Sequence, residues 1–330
     1  MEARSCWFVR PRAVELRHDG VPDLRPGQVR VRTSFSGISG GTEMLAYRGE
    51  LDPDLAVDES IGALGGTFTY PFRYGYSCVG VVEESRADVP AGALVFSFQP
   101  HQDVFVAGAD AVVELGDVDA RQATLFPLVE TALQISIDAA PHTGEPIVVF
   151  GLGAVGLLTA VLLRRAGARV FAVEVTPWRR QVAASVGIEA VDPALLAAAL
   201  EAAGHSGGVP VAVEVTGNPA ALEQALGVLA HEGEALVASW FGTKPVTLPL
   251  GADFHRRRLT IRSTQVSTIP ARLSHRWDAD RRRRVTLDLL GELPLAELAT
   301  HTFAFERASD AYAAIDSGEV GLMHAALGYT

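Results

Sequence analysis

Residues 147–174 read IVVFGLGAVGLLTAVLLRRAGARVFAVE. An apolar run at 147–150 leads into Gly151-Leu152-Gly153-Ala154-Val155-Gly156. An apolar helical segment follows at 157–165, and a second β-rich run at 169–173 ends on Glu174. Strand, glycine turn, helix, strand and acid within one βαβ length are the fingerprint of a dinucleotide-binding turn. Gly151 permits the tight turn, Gly153 lets a pyrophosphate approach the backbone, and Gly156 lets helix and strand pack closely. The phosphates then rest on free N–H groups at the positive end of a helix starting near Ala154. Gly151, Leu152, Gly153, Ala154, Val155 and Gly156 are therefore the predicted cofactor turn.

Glu174 lies 23 residues after Gly151, where a carboxylate accepts hydrogen bonds from an adenosine ribose. It repels a 2′-phosphate, so NAD(H) is favoured over NADP(H). Arg179 and Arg180 follow closely; placed to stack on adenine or bind ribose, they keep NADP(H) within reach. Residues 147–163 carry no charge over 17 positions, close to the minimum for a membrane span. Three glycines in a turn pattern and a β-rich arm on each side point instead to buried parallel strands, which are equally apolar.

The chain has 330 residues, enough for two domains with real cores. Its net charge of −11 argues against general affinity for nucleic acid or an anionic membrane. The arginine runs 256–258 and 281–284 read as a solvated face or a subunit contact. The N-terminus shows no apolar core of a secretory signal. Cys6 and Cys78 are too few for a disulfide framework or a structural zinc cluster. A cytoplasmic location is expected.

Residues 6–123 are β-rich. The stretch 28–35 (QVRVRTSF) alternates as a half-buried strand, and further strands are expected at 77–84, 93–98 and 103–107. Residues 52–70 read as a long loop that shapes a pocket mouth, and 120–140 as helix. Beyond the glycine unit, strands are expected near 211–215, 235–240 and 259–263, helices near 281–290 and 308–317, and then a final strand. A nucleotide domain with β-rich material before it and a shorter piece after it predicts that the two chain ends fold together as one domain.

This arrangement resembles the medium-chain dehydrogenase/reductase (alcohol dehydrogenase-like) family over essentially the whole chain. Ser36-Gly37-Ile38-Ser39-Gly40-Gly41-Thr42-Glu43 is similar to that family's G-I-C-G-T-D segment, with an extra residue and no Cys. Gly75-Tyr76-Ser77-Cys78-Val79-Gly80 is similar to its G-H-E-x-x-G segment. Residues 36–43, 74–83 and Pro100-His101-Gln102 resemble a branch that includes bacteriochlorophyllide dehydrogenase-like proteins. The resemblance implies an α/β fold, a GroES-like β-rich catalytic domain plus a Rossmann doubly wound parallel sheet. Residues 1–127 would be the first part of the catalytic domain, 128–265 the dinucleotide-binding domain, and 266–330 the return to the catalytic domain. It also implies a homodimer through paired edge strands, here 246–250.

The family's catalytic zinc is held by that Cys, by the His of G-H-E and by a third ligand before the nucleotide domain. Those positions fall here on Ser39 or Gly40, on Tyr76, and on Phe126 or Pro127. None offers thiolate, imidazole or carboxylate, the groups zinc accepts, so no metal is predicted. The four-Cys structural lobe is also missing, since 96–105 contains no cysteine.

Without a Lewis acid, hydrogen-bond donors must stabilise a developing alkoxide. Tyr76 takes the place of the zinc-ligand His, so its phenol reads as a proton donor to the substrate oxygen or as an aromatic wall. Thr42 aligns with the family's proton-relaying Ser/Thr, or caps the following helix. Glu43 reads as a helix-start carboxylate, an arginine partner or a catalytic group. His101 is a further acid–base candidate, against the alternative of a satisfied structural histidine. Thr131 corresponds to a family threonine that packs on nicotinamide. Thr216 and Gly217, then Ser239 and Trp240, follow strands where cofactor contacts occur in this fold, and Gln265 returns the chain past the cofactor.

Three functions follow. The first is a metal-free NAD(H)-dependent oxidoreductase interconverting a secondary alcohol and a ketone on a fairly large specialised metabolite. The second is an NADPH-dependent enoyl or quinone reductase, in which a phenol such as Tyr76 protonates the enolate. The third is a nucleotide-binding sensor that has lost its chemistry. The expected partner is a small-molecule substrate.

Overall fold

The run before the glycine turn forms the strand Pro146–Phe150 near the middle of a six-stranded sheet in the computed structural model, which describes residues 2–330. The sheet order is Ala190–Val191, Arg169–Val173, Pro146–Phe150, Val209–Glu214, Leu229–Val237 and Thr260–Ser263, parallel at every pair. Ile147, Val148 and Val149 are fully buried, as strands covered on both faces must be. The uncharged run is thus a strand, a turn and part of the helix Ala154–Arg165. Among the described residues, no helix is long and apolar enough to cross a membrane. Strand order reverses between Pro146–Phe150 and Val209–Glu214, and ligands of such sheets bind at the carboxyl ends beside that reversal.

This nucleotide unit comprises Leu128–Thr286, so residues 266–286 belong to it and not to the return segment. A buried ion pair explains the difference. Arg282, on the helix Ala279–Leu290, donates through Nε to Glu130 Oε1 (3.0 Å) and through Nη1 to Gln134 Oε1 (2.7 Å). Arg282 and Glu130 are both nearly inaccessible, and a buried guanidinium separated from its carboxylate would cost several kcal/mol. Residues 246–250, read above as an edge strand, form none. Pro245 precedes them and Pro249 lies among them, and both lack the N–H groups a ladder needs. The strand expected at 235–240 ends at Val237, so Ser239 and Trp240 sit on the loop beyond it.

The second unit joins Met1–Pro127 to Leu287–Thr330. Its long strand Gln28–Ile38 pairs antiparallel with Cys78–Ser85, Val104–Gly108 and Ala325–Gly328. The last pairing, Ala325 opposite Ile38 through Gly328 opposite Phe35, fastens the C-terminal return to the N-terminal half. A second sheet sets Glu2–Arg10 between Ala13–Gly20 and Phe72–Arg73. Phe8, Met44, Phe72, Tyr74, Phe305 and Tyr312 form the core beneath it.

Candidate active site

The three glycines of the turn are required for different reasons. Gly151 has φ +93°, and a Cβ there would lie 2.6 Å from Thr216 Cγ2. A Cβ on Gly156 would overlap the Gly151 carbonyl oxygen. At Gly153 a Cβ would meet nothing within 4 Å, so that position is open to a ligand's approach. Gly153 is also the N-cap of Ala154–Arg165 and no side chain caps the helix. Its first N–H groups lack intrahelical partners and form an anion site. A dinucleotide pyrophosphate fits these residues.

Two buried glutamates flank the turn. Glu174 Oε2 accepts from the Leu152 N–H (2.8 Å) and Oε1 from the Thr176 N–H (2.9 Å). The predicted ribose acceptor therefore also anchors the glycine turn, and a carboxylate with two donors has lone pairs left for a ribose hydroxyl. Glu214 Oε1 accepts from the Thr216 N–H (2.5 Å), the Thr216 hydroxyl (2.6 Å) and the Gly217 N–H (2.9 Å). Both corners carry one pentapeptide, Ala172-Val173-Glu174-Val175-Thr176 and Ala212-Val213-Glu214-Val215-Thr216. That short internal repeat was the signal for Glu214, which the motif reading passed over.

Among the other predicted cofactor residues, Ser239 Oγ accepts from the Gly217 N–H (2.8 Å). Trp240 is 40% exposed. Gln265 accepts from the Ser267 N–H and shapes its own turn. Thr131 lies half-buried on the helix Phe126–Ala139. Arg180 is committed to the carbonyl oxygens of Glu174 (2.6 Å) and Val175 (3.0 Å), whereas Arg179 lies over the Trp178 ring, 5.2 Å from its centroid.

In the catalytic unit the structure brings together Thr42, Glu43, Tyr76 and His101. The Tyr76 phenol is raised well above its usual range, chiefly by burial and next by the Glu43 charge, while the Ser39 and Thr42 hydroxyls facing it pull it back down. Its ring packs edge-on to Tyr74, with centroids 6.0 Å apart. Glu43 and His101 are fully buried and joined, His101 Nε2 to Glu43 Oε2, at 2.9 Å. Glu43 also accepts from the Tyr312 hydroxyl (2.7 Å) and the Ser39 N–H (2.8 Å). His101 Nδ1 lies 2.7 Å from Ser36 Oγ, which lies 2.8 Å from the Tyr329 hydroxyl. Ser36, Ser39, Tyr312 and Tyr329 were not among the predicted site residues. The glutamate's partner is thus a histidine and not an arginine.

A zinc ion does not fit the residues at the family's ligand positions. Phe126 is buried and stacked on Phe96, centroids 4.4 Å apart, and offers no donor. His101 has both ring nitrogens engaged. Burial pushes the Cys6 thiol up and the Cys78 thiol up to about 12, away from the thiolate form that binds metal. Among the described residues, no three His, Cys, Asp or Glu side chains converge as a metal site.

A parallel sheet with a glycine turn at its switch point and an antiparallel unit built from both chain ends give the fold found in solved alcohol dehydrogenases. Residues 154–280 match the family model described as zinc-binding dehydrogenase. Over that span the chain is similar to the zinc-binding dehydrogenases, and its relatives extend the likeness to most of its length. The 2-desacetyl-2-hydroxyethyl bacteriochlorophyllide A dehydrogenase of Rhodobacter capsulatus is 28% identical over 94% of each chain. The (R,R)-butanediol dehydrogenase of Bacillus subtilis is 27% identical over 78% of this chain and 81% of its own. Among solved structures, 2R,3R-butanediol dehydrogenase from B. subtilis superimposes with a TM-score of 0.77 at 22% identity, covering 99% of both chains. An alcohol dehydrogenase (rspB) of E. coli CFT073, complexed with NADH, gives 0.79 at 16% identity, also over 99% of both. These structural likenesses establish the fold.

Proposed function

We propose that the protein is an NAD(H)-dependent oxidoreductase that interconverts a secondary alcohol and a ketone without zinc, on a fairly large specialised metabolite. The observation that carries this reading is Tyr76: a phenol held neutral stands where the family places a zinc-binding imidazole. A neutral phenol is a hydrogen-bond donor, and a preorganised donor aimed at a developing alkoxide is worth about 3 kcal/mol. Nicotinamide, when bound, supplies or takes up the hydride. The glycine turn binds the pyrophosphate, Glu174 accepts from a ribose hydroxyl, and Tyr76 donates to the substrate oxygen. A carboxylate at Glu174 supports NAD(H) over the 2′-phosphorylated cofactor. Relatives named for a butanediol and for a hydroxyethyl bacteriochlorophyllide support alcohol chemistry, and the latter supports the larger substrate.

The test is turnover with NADH over a panel of ketones, conjugated enones and quinones, for the wild type and Tyr76→Phe. The expected result is turnover of a ketone that falls about a hundredfold in the variant, with NADH affinity unchanged. Turnover confined to enones or quinones, stoichiometric zinc in the purified protein, or a fully active Tyr76→Phe would overturn the reading.

A further inference from the structure

We propose that the protein associates with copies of itself through a salt-sensitive contact, in which a basic surface formed by Arg276, Trp277, Arg281 and Arg284 of one copy receives the acidic loop 52–59 of another. This contact is independent of the redox reading above.

Charge in this chain is segregated. Residues 254–286 hold ten arginines and two acids, Asp278 and Asp280, in a chain whose net charge is −11. Many of those arginines are used locally. Arg257 lies 3.4 Å from Asp253, Arg258 3.0 Å from Glu232 and Arg262 2.6 Å from Glu234. Arg272 donates to the carbonyl oxygens of Ile137 (3.0 Å) and Asp138 (3.1 Å), and Arg282 is buried against Glu130. The run 256–258 is thereby mostly neutralised where it stands.

The surface around Trp277 is different. Arg276, Arg281 and Arg284 are exposed, and none of the ion pairs among the described residues includes them. Asp278 Oδ1 accepts from the Arg281 backbone N–H (2.6 Å) and not from a guanidinium. The Arg281 side chain lies over the half-buried Trp277 ring, 4.5 Å from its centroid, and donates to the Arg276 carbonyl. Arg284 follows three residues on, on the same face of the helix Ala279–Leu290. Like charges held together in this way are unfavourable, and an anionic partner relieves them.

The complement lies elsewhere in the same sequence. No lysine, arginine or histidine occurs between Arg48 and Arg73, and Asp52, Asp54, Asp58 and Glu59 fall within eight residues. None of these four carboxylates has a basic partner among the described residues. The loop is nonetheless fixed in place. Buried Leu51, Val57 and Leu64 pin it to the core, and the Val57 and Phe68 N–H groups donate to the carbonyls of Gly66 (3.0 Å) and Leu55 (3.1 Å). Asp52 and Asp58 accept from N–H groups of their own turns. Asp54 and Glu59 are exposed, and between them Leu55 is 43% exposed. Each surface thus sets one apolar side chain among charges of a single sign, Leu55 among carboxylates and Trp277 among guanidiniums.

That complementarity favours a second copy as the occupant. Duplex nucleic acid or an anionic membrane extends past the basic patch, beyond a screening length of about 8 Å, onto a molecule that is acidic elsewhere. The two surfaces differ, so the contact is heterologous, the loop of one copy on the patch of the next. Exposed ion pairs contribute little individually and are screened by salt, so the association is weak and salt-dependent.

The test is sedimentation of full-length protein over a range of concentrations, at about 20 mM and about 500 mM salt. The wild type should gain mass with concentration at low salt, above its high-salt species, and lose that gain at high salt. Arg276→Glu/Arg284→Glu reverses the patch, Asp54→Arg/Glu59→Arg reverses the loop, and each should abolish the gain. An equimolar mixture of the two double variants should restore it, and so should the four substitutions combined in one chain. If either double variant loses the wild-type Tm, Arg276→Gln/Arg284→Gln or Asp54→Asn/Glu59→Gln takes its place, with the same loss expected. The proposal is overturned by a wild-type mass that does not depend on salt, by a gain that survives either reversal in folded protein, or by no recovery in the mixture and the combined chain. Patch-dependent binding of duplex DNA or a polyglutamate peptide without self-association would also overturn it, in favour of a foreign polyanion.

Discussion

The buried glutamates at the glycine turn and at the Tyr76 cluster are held in opposite ways. In the nucleotide unit, Glu174 and Glu214 accept from backbone N–H groups of their own turns, two or three residues on, Glu214 through Oε1 alone, and Glu174 adds Leu152 at a separation of 22. In the catalytic unit, Glu43 draws one donor from four residues away, but the others come from His101 and Tyr312, 58 and 269 residues distant. A carboxylate capped by its own turn keeps its partners whenever the turn forms. One held by remote side chains keeps them only when the segment that carries His101 and the helix Ala308–Ser317 that carries Tyr312 have docked. The first arrangement builds a binding turn; the second couples distant parts of one unit.

Removing each carboxylate system should separate the two. Glu43→Ala leaves the His101 and Tyr312 donors buried without an acceptor, and should destabilise the catalytic unit by about 4 kcal/mol. Thermal unfolding would show it as a large fall in Tm for the wild-type transition of that unit. Gly156→Val forces a branched side chain where even a Cβ overlaps the Gly151 carbonyl. NADH affinity should fall more than a hundredfold, equivalent to about 3 kcal/mol, in a fluorescence titration.

Acid should also act unequally. Burial lowers the pKa of His324, in the catalytic unit, to about 4 from an ordinary value of 6.5. The unfolded chain therefore binds the extra proton between those values, and stability present at neutral pH is lost as pH falls from 6.5 towards 4. The loss amounts to about 3 kcal/mol. Unfolding scans from pH 7 to 4 should show it, and His324→Gln should flatten that pH dependence. The smallest effect is expected at Thr216→Val, which deletes the 2.6 Å hydroxyl bond to Glu214 but leaves the two backbone donors. It should cost about 1 kcal/mol, measurable by urea titration.

Local sequence carried the nucleotide unit because its determinants are local. The glycine spacing, the apolar runs and Glu174 lie within one βαβ unit, and each works through neighbouring backbone. That Ser39, Tyr76 and Phe126 offer no thiolate, imidazole or carboxylate is likewise a matter of side-chain chemistry, which needs no coordinates. Tertiary structure alone decided three other features. It buried Arg282 against Glu130 and moved the second boundary to Thr286. It left residues 246–250 without a strand. It also gathered Ser36, Ser39, Glu43, His101, Tyr312 and Tyr329 into one buried circuit. Those contacts join residues up to 293 positions apart, and no periodicity or motif encodes a partner that only the docking of strand Ala325–Gly328 and helix Ala308–Ser317 brings within reach.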